Sequence, residues 1–174
     1  MLVNMSKKSE QDLVDDLIQN GLDYVRQRNY PEAVKHFKKA KEIDPQNFDV
    51  YMHLAETYST LKQFESARWA YEEALKLDPE HVDTWYKLGA MCIDDADYNE
   101  AERCLLKATE YESDRAGAWN ALGTVYMEQK KYLKAKDCFE KALELDPGYQ
   151  QASYNLEKIK DIQVEDLSTW SSTR

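Results

Sequence analysis

The sequence predicts an all-α fold: a right-handed superhelical solenoid of four helix–turn–helix repeats followed by a C-terminal capping helix. Three observations carry that prediction. Large residues, small residues and prolines each recur at a step of 34 residues, the period of a stacked helical hairpin. The pattern is helical throughout, and no run of alternating β-branched residues argues for a strand. Three of the five glycines fall on the repeat grid, which leaves almost none to build a phosphate loop or a strained catalytic turn.

The rows of the grid justify each element. Leu17, Tyr51, Trp85 and Trp119 open the first helix of successive units and fill the space between its two helices. Small residues at Gly21, Ala55, Gly89 and Gly123, at Ala33, Ala67, Ala101 and Ala135, and at Ala40, Ala74, Ala108 and Ala142 let paired helices approach closely. Pro45, Pro79 and Pro147 end the second helices, with Ser113 in the gap; a proline cannot continue the backbone ladder. Helices are expected at 10-27 with 31-43, 47-61 with 64-77, 81-95 with 98-111 and 115-129 with 132-145. A last helix starts near 149.

The organisation that follows is an N-terminal arm and the start of the first helix at 1-13, then repeats at 14-47, 48-81, 82-115 and 116-149. A capping helix occupies 150-166, on the helical spacing of Ala152, Leu156 and Ile159. Residues 167-174 form a flexible tail, as chain ends do unless tied down.

Trp119, Leu122, Gly123, Tyr126, Ala135, Phe139, Ala142 and Pro147 stand at the signature spacings of a known pattern. It resembles the tetratricopeptide repeat (TPR) family. Segments 48-81, 82-115 and 116-149 carry the resemblance, and 14-47 is a weaker copy with Asn20 in an apolar place. Segment 82-115 departs at Cys92 and Ser113. The resemblance implies a non-catalytic protein–protein interaction module without a cofactor.

Net charge is -10 with 32% charged residues, which disfavours nucleic acid or an anionic membrane as the main partner. The start MLVNMSKKSE holds no apolar stretch of signal-peptide length, and nothing reads as a membrane span; a cytoplasmic location is expected. Cys92, Cys104 and Cys138 have no metal-ligand spacing. Cys104 and Cys138 fall on equivalent places of adjacent repeats, too far apart to bridge, so free thiols are expected.

In the resembled family the first helix of each pair lines a concave face. Mapped onto this chain, that face offers Ile18, Leu22 and Arg26, then Met52, His53 and Glu56, then Asp83, Tyr86, Lys87 and Asp94, then Asn120 and Thr124. The acids Asp15, Asp49, Glu56, Asp83, Asp94 and Glu128 outnumber the bases Arg26, Lys87 and Lys158, and apolar residues interleave. Such a groove suits a basic or amphipathic peptide or helix of a partner protein. Read singly, each acid is better taken as an ordinary solvated residue; the face as a whole carries the binding reading. Chaperone adaptors of the family grip a C-terminal carboxylate with Lys, Asn and Arg. The matching positions Ile18, Leu22, His53, Asp83 and Lys87 supply only Lys87, which argues against that role. The alternative is the repeat module of a larger protein, or a self-associating scaffold.

No catalytic or metal site is expected. His36, His53 and His81 should not converge, and His53 with Glu56 is two ligands on one helix without a third. Trp69 stands where other repeats carry Lys35, Arg103 and Asp137. It is expected to point outward, either lying over neighbouring side chains or anchoring a contact on the convex face.

Overall fold

The computed structural model describes residues 9–171, and among them every regular element is a helix. The order is α1 (Glu10–Arg26), α2 (Tyr30–Ile43), α3 (Phe48–Thr60), α4 (Phe64–Leu77), α5 (Val82–Asp94), α6 (Tyr98–Tyr111), α7 (Ala116–Glu128), α8 (Tyr132–Leu145) and α9 (Gln150–Ser171). The expected boundaries hold to within a residue or two, except at the end. There α9 runs on to Ser171, so 167–171 are helical where a flexible tail was expected. Residues 172–174 of that tail, and 1–8 of the N-terminal arm, lie outside the described residues.

The chain divides into two compact units, residues 1–84 and 85–174. In the first unit α1 packs on α2, α3 on α4, and α2 on α3. In the second, α6 packs on α7, α7 on α8, and α9 on both α8 and α7. The alanine rows are the seams. Ala33, Ala40, Ala67, Ala74, Ala101, Ala108, Ala135 and Ala142 are all fully buried, leaving no room for a larger side chain.

The glycine row works through side chains rather than touching backbones. A Cβ on Gly21 would meet the Phe37 ring at 2.4 Å, on Gly89 the Leu105 side chain at 2.7 Å, and on Gly123 the Phe139 ring at 2.6 Å. The space each glycine leaves is filled by the large residue sixteen places on, from the second helix of its own hairpin. In α3 the same place is Ala55, opposite the buried Tyr71.

Turns follow the same step. Arg28, Lys62, Ala96 and Lys130 all have positive φ, between 56° and 58°. Each closes its first helix in the same way: in α1 the Arg28 N–H donates to the Val25 carbonyl and Asn29 to Tyr24, both at 2.9 Å. This is a helix stop through a left-handed residue, a place that usually selects glycine, yet none of the four is glycine.

Helix starts vary more. Ser9 and Asp12 cap α1 reciprocally, each backbone N–H donating to the other's side chain at 3.1 Å. Asn47 caps α3, accepting from the Val50 N–H at 3.2 Å. Thirty-four residues on, His81 takes the same role for α5, its Nδ1 accepting from the Thr84 N–H at 3.2 Å.

Second helices end alike. Asp44, Asp78 and Asp146 adopt extended backbones with ψ near 90°, the conformation that a following proline imposes. Glu112 adopts it too, at φ -138° and ψ 92°, although Ser113 replaces the proline.

Candidate functional site

In the first unit, α1, α2 and α3 enclose a cleft of about 170 Å³ lined by Leu22, Val25, Phe37, His53, Glu56 and Thr60, among others. Leu22, His53 and Glu56 are three of the residues that the sequence nominates. His53 lies one turn ahead of Glu56 and Thr57 on α3, which puts all three on one side of the helix. Its ring stacks on Phe37, with centroids 5.3 Å apart. The Thr57 and Thr60 hydroxyls donate to the carbonyls of His53 and Glu56 at 2.6 and 2.9 Å. The cleft is thus apolar at its floor, with a carboxylate and an imidazole at its rim.

A second convergence lies on the buried Tyr71 of α4. Its hydroxyl is pushed well above the ordinary tyrosine range, first by burial and then by the charges of Glu56 and Asp83. Two of the nominated acids, from α3 and the start of α5, therefore bear on one point of the first unit.

Other nominated residues are placed differently. Met52 is only 6% exposed; the Thr84 hydroxyl donates to its sulfur at 3.1 Å, so it is packed in the seam and offers no free surface. Arg26 is exposed and pairs with Asp23, and Ile18 is half-buried outside the cleft.

In the second unit, Tyr86 lies under the Arg115 guanidinium, 4.3 Å from the ring centroid. A Cβ on Gly117 would sit 3.7 Å from the Tyr86 hydroxyl and 3.6 Å from that of Tyr149. Burial, then the neighbouring Tyr86 and Asp146, push Tyr149 upward. Arg115 and Tyr149 were not nominated. The available signal was Gly117, which stands off the glycine grid where Asp15, Asp49 and Asp83 stand in earlier repeats. Lys87 and Thr124 are half-buried and Asp94 is exposed. Asn120 is 6% exposed, its side-chain oxygen accepting from the Asn155 amide at 3.5 Å. This pair seals α9 against α7, so Asn120 too is removed from the open face.

Glu102 ties this unit together at another point. Burial pushes its carboxyl up, but hydrogen bonds from Lys131, Gln129 and Tyr126 outweigh that, and it titrates below 4.5. Lys131 lies 3.1 Å away.

Trp69 is 38% exposed, outward as expected. It meets Tyr51 edge-on at 5.8 Å and lies under the Lys41 ammonium at 4.9 Å. Arg103 covers Trp85 at 5.3 Å from the equivalent position one repeat later, so this row lids the large residue of its own hairpin.

Cys92, Cys104 and Cys138 are buried and, among the described residues, form no disulfide. Burial, and secondarily Asp137, push the Cys138 thiol up to about 11. No cluster of three metal-ligating side chains occurs among the described residues. No helix there is long and apolar enough to cross a membrane.

Residues 14–149 match the family described as the Cilia and flagella-associated protein 70 C-terminal domain. Among solved structures, the chain is similar to Pseudomonas aeruginosa pilF, at 28% identity and a TM-score of 0.77, covering 90% of this chain and 71% of that one. It is also similar to MamA 41-end from Desulfovibrio magneticus RS-1, at 20% identity and a TM-score of 0.83, covering 94% and 92%. YrrB, described as a TPR protein with an unusual peptide-binding site, matches at 23% identity and a TM-score of 0.74, covering 81% and 73%. No curated protein sequence matches the chain. These likenesses establish an all-helical solenoid fold of a type used for protein interaction.

Proposed function

The chain belongs to the tetratricopeptide repeat family, in the group described by the C-terminal domain of cilia and flagella-associated protein 70, and from that premise we propose that it binds a basic, amphipathic peptide or helix of a partner protein without catalysing a reaction. The single observation that carries this reading is the first unit's cleft: an apolar floor of Leu22 and Phe37, with Glu56 at the rim and Asp83 bearing on the same Tyr71. A leucine-sized side chain fits the floor, and a lysine or arginine beside it meets the carboxylates. The printed description of YrrB as peptide-binding lends support to a peptide ligand. Tyr86, Lys87, Asp94 and Thr124 extend the reading to the second unit. Cytoplasmic residence belongs to the same reading.

The test is isothermal titration of the full chain with a synthetic peptide of alternating Leu and Lys, against Glu56→Gln/Asp83→Asn and Leu22→Ser variants. Binding should weaken several-fold in each and fall with salt, because exposed charges are screened over ~8–10 Å. Affinities within about twofold of the parent, a difference well under 1.4 kcal/mol, would exclude the cleft as the site.

A further inference from the structure

We propose that the start of α8, where Leu133 projects among Lys130, Lys131 and Lys134, is a second docking surface, and that its occupant is an acidic protein segment carrying an apolar side chain. Leu133 is 73% exposed, more than any other large apolar side chain among the described residues. A shallow groove of about 570 Å³ runs along Lys130, Lys131, Tyr132, Leu133 and Lys134. In the other repeats the place of Leu133 is taken by Pro31, Glu65 and Asn99, so the fold does not need an apolar residue there.

The charges are inverted as well. Where the third repeat has Asp97, Glu100 and Glu102, the fourth has Lys131, Lys134 and Lys136. Asp97 caps α6, accepting from the Glu100 N–H at 3.2 Å. Lys131 cannot cap α8; that helix has no side-chain cap, a lack it shares with α2, α4 and α7, and like α7 it has no acid in its first turn, where α1 to α6 each carry one. Lysines at the positive end of a helix are disfavoured. A stretch that sets Lys131, Leu133 and Lys134 where the third repeat has Asp97, Asn99 and Glu100, and leaves the leucine exposed, gives up local stability with no gain in burial and is expected to serve recognition.

The patch is held in shape. Lys131 pairs with Glu102, the Gln129 amide donates to the Tyr98 carbonyl at 3.3 Å, and the Lys134 ammonium lies 5.2 Å from the Tyr126 ring centroid. Lys136 pairs with Glu140. Lys130 and Lys134 have no ion pair among the described residues, so their charge is available to a ligand.

Charge complementarity selects an acidic occupant, and the extent of the patch selects a short one. Glu128, Asp137 and Glu140 flank it in sequence, and the chain as a whole carries -10. A membrane or duplex nucleic acid spans far more than a Debye length and would meet those acids too. A peptide feels only the local field, which is screened beyond ~8 Å. Leu133 then supplies an apolar contact that a phosphate backbone cannot use.

The test is fluorescence anisotropy of the full chain with a labelled peptide of Asp and Glu around a central Leu-Phe pair. Two variants carry residues that the third repeat already tolerates, Leu133→Asn and Lys134→Glu, and Lys130→Ala is the third. Lys130→Ala/Lys134→Glu should weaken binding by at least about tenfold and Leu133→Asn by several-fold, the pattern of a charged, apolar-anchored contact. Glu56→Gln/Asp83→Asn should leave this peptide unaffected, which separates the proposal from the cleft of the first unit. Helical circular dichroism should be retained in all variants. Variants that bind within about twofold of the parent overturn the proposal. So does tighter, Lys134-dependent binding to phosphatidylserine vesicles or duplex DNA than to the peptide.

Discussion

Gly123 on α7 faces the ring of Phe139 on α8 so closely that a Cβ would lie 2.6 Å from its Cε1 atom. The same relation joins Gly21 to Phe37 and Gly89 to Leu105. In these three hairpins one missing methyl therefore sets how deeply a large side chain of the second helix enters the first.

Gly123→Ala tests this relation with opposing effects. Alanine favours a helix over glycine by about 1 kcal/mol, while overpacking a fixed ring costs about 1–3 kcal/mol. Phe139 is fully buried and cannot swing into solvent, so overpacking should win. Thermal unfolding should show a lower melting temperature for Gly123→Ala and a larger fall for Gly123→Leu. A stabilised alanine variant would mean that the Phe139 ring moves freely.

Ser113→Pro should act the other way. Glu112 already holds the extended backbone that a following proline requires. The carbonyl of Ser113 accepts from the Trp119 indole at 2.7 Å, just as the Pro45 carbonyl accepts from Tyr51 at 3.0 Å, so proline preserves the contact. Restricting the unfolded chain should add about 0.4–1 kcal/mol of stability. Urea unfolding checks it; a lower midpoint would show that the Ser113 backbone differs from that of Pro45.

Glu102 predicts a pH dependence. Its carboxyl is lowered in the folded protein relative to 4.5, so the unfolded chain takes up its proton first as pH falls. The stabilisation is present above 4.5 and is lost as pH drops through the lowered value. Glu102→Gln should therefore destabilise at pH 7, by less than about 1 kcal/mol for a partly exposed pair, and the difference from the parent should shrink as the pH falls below the ordinary glutamate range. A difference that does not change with pH would assign the effect to packing rather than charge.

How far these features could be read from sequence depends on which atoms encode them. The hairpins were legible because packing seams are written in side-chain size at a fixed step, as in Ala33, Ala67, Ala101 and Ala135. The left-handed turns were not, because Arg28, Lys62, Ala96 and Lys130 include no glycine, the residue that would mark them; the length of the connection imposes their conformation. His81 was read only as a histidine that meets no other, and its register with Asn47 explains it as a helix cap. Among the candidate site residues, Leu22, His53 and Glu56 meet because neighbouring helices place them along one cleft. Met52 on α3 and Asn120 on α7 occupy equivalent positions of their own repeats, but Thr84 and Asn155 cover them. A single repeat's face does not reveal what the following helix will bury.

The end of α9 extends five residues beyond its expected boundary, which bears on truncation. Ala152, Asn155 and Ile159 are buried against the preceding helices, all within the first three turns. Removal of 150-174 should expose the Asn120 side and cause aggregation on heating, whereas removal of 167-174, which keeps Ala152, Asn155 and Ile159, should leave the melting temperature within about 2 °C, the effect of a change of less than about 0.5 kcal/mol. Identical behaviour of the two truncations would show that α9 does not protect α7 and α8.

Lys134→Glu should separate stability from recognition. Glu100 occupies the equivalent place in α6, and an acid in a first helical turn is stabilising by about 0.3–1 kcal/mol. Lys134 contributes a contact to the Tyr126 ring, but Lys131 also lies over that ring at 5.5 Å, so little is lost on substitution. The variant should unfold at a higher urea concentration than the parent while losing affinity for the acidic peptide. A variant that is both less stable and weaker in binding would place Lys134 in the structure of the turn. A variant that is more stable with affinity intact would leave the lysine without a part in binding. Only opposite movement of the two measurements agrees with a helix start whose charge serves a partner at the expense of the fold.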